Sequence, residues 1–215
     1  MPAFSIDQTL ERARSALAMP TLYALGAGGL KDSSRAMPAR PGEPTDAKRL
    51  LAHMQAEDPE KARDYLNGLA RIGLAIEQLP REACDCSGFV TWAMGIARHP
   101  SAIGWVSTDA MHEDARGRQN QLFVRLERAR LGALIVYPRQ GPKAAQVGHV
   151  GLVSEVDAQG RATRVIHCSP HNFEIDPPAG GARNAIAETG TEIFDRHADG
   201  PDALKTMLVL LKAHA

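Results

Sequence analysis

Cys86, His149 and His167 are the residues of this chain whose types and spacing could carry nucleophilic chemistry. A thiol is only a few per cent ionised at neutral pH. A cysteine nucleophile therefore needs a neighbouring base, or a place such as a helix N-terminus whose unpaired N–H groups favour the thiolate. Cys86 stands in Cys84-Asp85-Cys86-Ser87-Gly88-Phe89-Val90-Thr91-Trp92, where an apolar helical run begins and Asp85 is a favoured capping residue. Some sixty residues on, His149 follows Gly148 and opens the run Val150-Gly151-Leu152-Val153, so its ring projects from the start of a strand. His167 ends the next apolar run, 18 positions later, and a hairpin turning near 158–160 returns it to the side of His149. The chemistry expected of such a set is thiolate attack on an amide carbonyl. His149 would move the proton and His167 would hold the His149 ring in one tautomer.

The elements that must position these residues are legible as changes of period. Ser5 to Ala18 reads as a helix with Ser5 and Gln8 as a capping box and Ile6, Leu10, Ala13 and Leu17 on one face. Gly26 to Gly29 breaks that pattern, and 31–44 is rich in Pro, Ser, Gly and charge, which predicts a surface loop. Thr45 or Asp46 opens a second helical region containing Leu50, Leu51 and Met54. A further helix is expected from Pro59 to Leu79, with Leu66, Leu69, Ala70, Gly73 and Leu74 as its buried stripe. The helix that begins near Cys86 is expected to end near Arg98 to Pro100, and Asp109 to Arg116 adds a short helical turn. From there the period shortens: Gly132 to Tyr137, Val147 to Val156 and Ala162 to Cys168 read as successive antiparallel strands, and Asp202 to Ala213 as a terminal helix or strand. Helices first and strands later predict an α+β fold, helices packed on one face of a small antiparallel sheet.

Composition removes other classes of function. In 215 residues, 25 Lys and Arg balance 25 Asp and Glu, which provides no electrostatic footprint for nucleic acid or an anionic membrane. Aromatics are 5%, too few for a base-stacking platform. No stretch approaches the roughly 18 apolar residues that span a bilayer. Asp7, Glu11, Arg12 and Arg14 interrupt what would have to be the apolar core of a secretory signal. Three cysteines, two of them in a Cys-x-Cys, read as reduced thiols. The expectation is a soluble chain, cytoplasmic or exported by a non-classical route. Cys84, Cys86 and Cys168 with His149 or His167 offer four zinc-type ligands. A single Cys-x-Cys without a second pair is weaker than the usual zinc spacing, so neither metal nor cofactor is expected. His53, His112, His171 and His197 lie in polar surroundings and are expected at the surface.

The segments Asp85-Cys86-Ser87-Gly88-Phe89-Val90 and Gly148-His149-Val150-Gly151-Leu152-Val153, with Val165-Ile166-His167, resemble the NlpC/P60 family of papain-like cysteine peptidases in order and spacing. The resemblance covers about 84–168. It implies a papain-like NlpC/P60 fold, hydrolysis of amide bonds in bacterial cell-wall peptides through a thioester, Cys86 as nucleophile, His149 as base and His167 as the orienting residue. It further implies that Tyr23, in Leu22-Tyr23-Ala24-Leu25-Gly26, points its hydroxyl at the thiolate or the oxyanion, and that Asp85 or Ser87 contacts substrate. Leu131-Gly132-Ala133 stands where the family often has Pro-Gly-Asp, and 31–81 is then an inserted helical region within one domain of 1–215. The expected partner is a peptidoglycan stem peptide. The alternatives are a related amidase or acyltransferase on another amide, or a non-catalytic binding or zinc-structural protein on the same scaffold.

Overall fold

The computed structural model describes residues 4–25, 51–52, 55–56, 58–71, 73–79, 82–96, 106–118, 122–139, 147–177, 181–195 and 205–215. The expected helix opening at Thr45 or Asp46 lies largely outside them, as do His53, Trp105 and His197.

The first helix, α1 (Ile6–Ala16), starts at the expected capping box. Gln8 N–H donates to Ser5 Oγ at 3.2 Å and Ser5 N–H to Gln8 Oε1 at 3.0 Å. It buries Thr9, Leu10, Ala13 and Ala16. Leu17, expected on that face, is the C-cap and is exposed. A short strand β1 (Thr21–Tyr23) follows and pairs in parallel with β2 (Glu82–Cys84), Tyr23 opposite Cys84. Between them runs α2 (Pro59–Arg71), eight residues shorter than expected. Gly73, at φ 71°, closes it, and Leu74 N–H returns to the Leu69 carbonyl. Ala62 and Leu69 are buried, whereas Ala70 and Gly73, expected in the stripe, face solvent.

The helix that begins at Cys86, α3 (Cys86–Ala93), also stops early, because Gly95 takes φ 71° and Ile96 N–H bonds back to Thr91 O at 2.8 Å. A Cβ at Gly95 would strike the Phe4 ring. The next helix, α4 (Thr108–Ala115), is capped by Ser107.

The strands are β3 (Phe123–Leu126), β4 (Leu134–Tyr137), β5 (His149–Val156), β6 (Ala162–Cys168), β7 (Ile186–Thr189) and β8 (Met207–Leu211). They form one antiparallel sheet in the order β3-β8-β4-β5-β6-β7. The strand alternation divides the core in two. Leu134, Val136, Val150, Leu152, Ile166, Cys168 and Val209 point to the face covered by α1, α3 and α4. Ile135, Tyr137, Val153, Val165 and Leu210 point to the other, which Phe194 of the one-turn helix α5 (Glu192–Asp195) covers. Helices therefore lie on both faces rather than one. The architecture is mixed α and β with an antiparallel sheet, compatible with a papain-like fold. Among the described residues no helix is long and apolar enough to cross a membrane.

Candidate active site

Cys86 is the first residue of α3, and Asp85 before it caps the helix. The Asp85 carboxylate accepts from Gly88 N–H and, at 3.0 Å, from Ser87 Oγ. Both side chains are buried, and both are engaged in the cap. A closed cap holds the helix start in place, with the positive end of the helix at Cys86. The thiol is buried and lies 4.0 Å from the carbonyl oxygen of Gly148. Gly148 is small for a reason: a Cβ there would collide with Thr108 Oγ1 and with the backbone of Arg139.

His149, the next residue, opens β5 opposite Tyr137. Its ring lies on the Phe194 face, stacked on Phe194 at a centroid distance of 5.4 Å. Its Nε2 is 2.8 Å from Nδ1 of His167. The β5–β6 hairpin thus brings the two imidazoles together across 18 residues. His167 Nε2 is in turn 3.0 Å from Thr189 Oγ1, and that hydroxyl donates to the Gly190 carbonyl at 2.9 Å.

One assignment of tautomers satisfies every bond in this chain. A hydroxyl has one proton to give, and Thr189 gives it to a carbonyl, so Thr189 accepts from His167 Nε2–H. The neutral His167 then carries a bare Nδ1, which accepts from His149 Nε2–H. His149 is left with its lone pair on Nδ1, and the Cys86 thiol lies beside the carbonyl of the preceding residue, Gly148. Thr189 had no local signal in the sequence; only the β6–β7 pairing, with His167 opposite Ala187, brings it here.

Electrostatics keep both rings neutral. Burial, then the neighbouring His167 and His171, hold His149 well below its ordinary value, and burial lowers His167 to about 4. Tyr23, beside Cys84 on the adjoining strand, is pushed the other way by burial and by Cys86 and Asp85, so its phenol keeps its proton. Tyr23 also lines a cavity of about 270 Å³ shared with Leu25, Tyr65, Leu69 and Phe173, mostly apolar, with Asp64 and Glu174 among its charged neighbours. His171, exposed as expected, borders the same cavity. His112, expected at the surface, is instead fully buried with Nε2 2.9 Å from Lys205 O. Among the described residues no three His, Cys, Asp or Glu side chains converge as metal ligands.

Cys86, His149 and His167 fall within one matched segment. Residues 79–169 match the family model of the CHAP domain. CHAP domains occur in NlpC/P60-like and related cysteine peptidases and amidases that hydrolyse the cell wall, so the match points to a peptidoglycan-hydrolysing amidase or peptidase at that level of detail. Tyr23 lies before the matched segment and Thr189 after it. No curated protein and no solved structure matches the chain.

Proposed function

We propose that this protein is a cysteine hydrolase that cleaves an amide bond in peptidoglycan stem peptides, on an NlpC/P60-like papain fold formed by one domain of 1–215. The observation that carries the reading is the hydrogen-bonded line Thr189–His167–His149, which ends at the residue whose neighbour touches the Cys86 thiol. In this mechanism Cys86 Sγ attacks the amide carbon as His149 Nδ1 takes the thiol proton. Both rings are neutral at rest, so the proton moves as the sulfur attacks. The tetrahedral oxyanion forms beside the positive end of α3 and the protonated Tyr23 hydroxyl. His149 then protonates the leaving amine, a thioester remains on Cys86, and water resolves it with His149 again as base. His167, held by Thr189, prevents the His149 ring from flipping and spreads the positive charge it carries in transit. Asp85 and Ser87 serve by holding the helix start. The region 31–81 is an insertion whose helix α2 walls the cavity where the rest of the substrate lies.

The test is digestion of purified sacculi and of a defined wall tetrapeptide, with the products resolved by mass spectrometry. Release of stem-peptide fragments that Cys86→Ala abolishes is the expected result. Intact wall peptide under conditions where the folded wild type hydrolyses another amide through Cys86 would move the enzyme to a different substrate. No thiol-dependent hydrolysis of any amide offered would leave a binding module.

A further inference from the structure

Cys84 and Cys168 are two buried thiols that the mechanism does not use. Neither is in a disulfide, and their sulfurs lie 3.4 Å apart although 84 residues separate them in the chain. Cys168 Sγ also lies 3.5 Å from the Cys84 carbonyl oxygen, so the side chain of one residue rests on the backbone of the other. Both are completely shielded from solvent. Bonding would bring the sulfurs from 3.4 Å to about 2.05 Å. We propose that Cys84 and Cys168 form a structural disulfide when the chain folds in an oxidising compartment, joining the strand that leads into the nucleophile to the strand that carries the orienting histidine.

The placement gives the bond its consequence. Cys84 ends β2, two residues before Cys86, and Cys168 ends β6, directly after His167. These segments belong to different sheets, and no backbone ladder joins them. A covalent link would fix the spacing between the helix start and the histidine pair. The step is thiol–disulfide exchange with a disulfide donor such as oxidised glutathione. One cysteine thiolate attacks the donor and releases one donor thiol as a mixed disulfide forms. The second cysteine attacks that mixed disulfide and releases the other donor thiol. The two cysteines lose two electrons and two protons, and the donor gains them. Burial closes the finished fold to a donor and pushes the Cys168 thiol up, so exchange occurs during folding and the finished reduced protein resists oxidation.

Trypsin places Cys84 and Cys86 together in 82–98 and Cys168 in 165–183, so the experiment uses the Cys86→Ala chain, in which only the two cysteines of interest remain. The chain is refolded from denaturant in an oxidised-glutathione buffer and, separately, with a reductant. Free thiols are alkylated under denaturing conditions and the non-reduced digest is mapped. The expected result is no alkylated cysteine in the oxidised sample, a linked 82–98/165–183 peptide, and a Tm raised on the order of 5–15 °C over the reduced sample. Adding reductant to the denatured chain removes the link. Two alkylated cysteines or two glutathione adducts in a chain with native circular dichroism would overturn the proposal, as would a linked peptide whose Tm falls below that of the reduced form. The readout is covalent and thermal, so it stands apart from whether wall peptides are cleaved.

Discussion

At the scale of single residues, the site depends on which nitrogen of each imidazole holds a proton. In the assignment that satisfies every bond, Thr189 gives its one hydrogen to the Gly190 carbonyl and accepts from His167. Thr189→Val keeps the shape of the side chain and removes the acceptor, so His167 Nε2–H is left buried without its partner and either tautomer becomes open to the pair. We expect kcat to fall about tenfold to a hundredfold, the range typical of hydrogen-bond partners that orient reacting or ligating histidines, with KM little changed. Thr189→Ser should restore most of the rate. Equal loss in the valine and serine variants would show that Thr189 acts only as packing. The lowered value of His149 has its own signature. In the proposed mechanism the competent base is the neutral ring, and a depressed pKa keeps it neutral to lower pH. The acid limb of kcat/KM should therefore lie below pH 6.5, where an exposed imidazole would place it.

At the scale of elements, α3 is eight residues long and too short to persist without its cap and its packing. Asp85 satisfies the Gly88 N–H and the Ser87 hydroxyl in a buried setting. Asp85→Ala should cost about 1–2 kcal/mol in urea denaturation and should reduce turnover by more than the stability loss explains, because the frayed turn is the one that carries Cys86. Unchanged kcat in a destabilised but folded variant would separate the cap from the chemistry. The start of this helix was legible from Asp85 and the apolar run after it. Its end was not, because Gly95 terminates it by a backbone conformation that brings the turn onto Phe4, and that contact is remote in sequence.

At the scale of the whole molecule, placing two neutral histidines in the core links stability to pH. In the unfolded chain each ring protonates near 6.5, whereas in the folded chain His167 does so only at about 4 and His149 also well below its ordinary value. The unfolded state therefore binds more protons as pH falls below 6.5, and the fold loses stability from there toward pH 4, with no contribution above that window. For His167 alone, the difference between 6.5 and about 4 corresponds to roughly 3 kcal/mol. Urea midpoints measured from pH 7.5 to 4.5 should fall steadily below 6.5, and His167→Asn should flatten part of that slope. A midpoint independent of pH across the window would mean that the rings are charged in the folded protein.

Much of this site could be read from residue types and periodicity alone. Alternation predicts β5 and β6, and the turn at 157–160 sets the hairpin that returns His167 to His149, because a side-chain period of two leaves little freedom once one face is buried. Local patterning likewise placed Cys86 at a helix start. What depends on contacts between distant parts of the chain was decided only in three dimensions. Met207–Leu211 is an apolar run that suits helix or strand equally, and insertion between β3 and β4 makes it a strand. Thr189 reaches His167 only through the β6–β7 pairing, and Cys84 meets Cys168 only because β2 docks beside the end of β6. His112 looks polar in its helix yet is buried, since the carbonyl that satisfies it belongs to Lys205, 93 residues away. A local pattern records which side of an element faces inward; what it meets there is set by packing between elements that no single stretch of sequence contains.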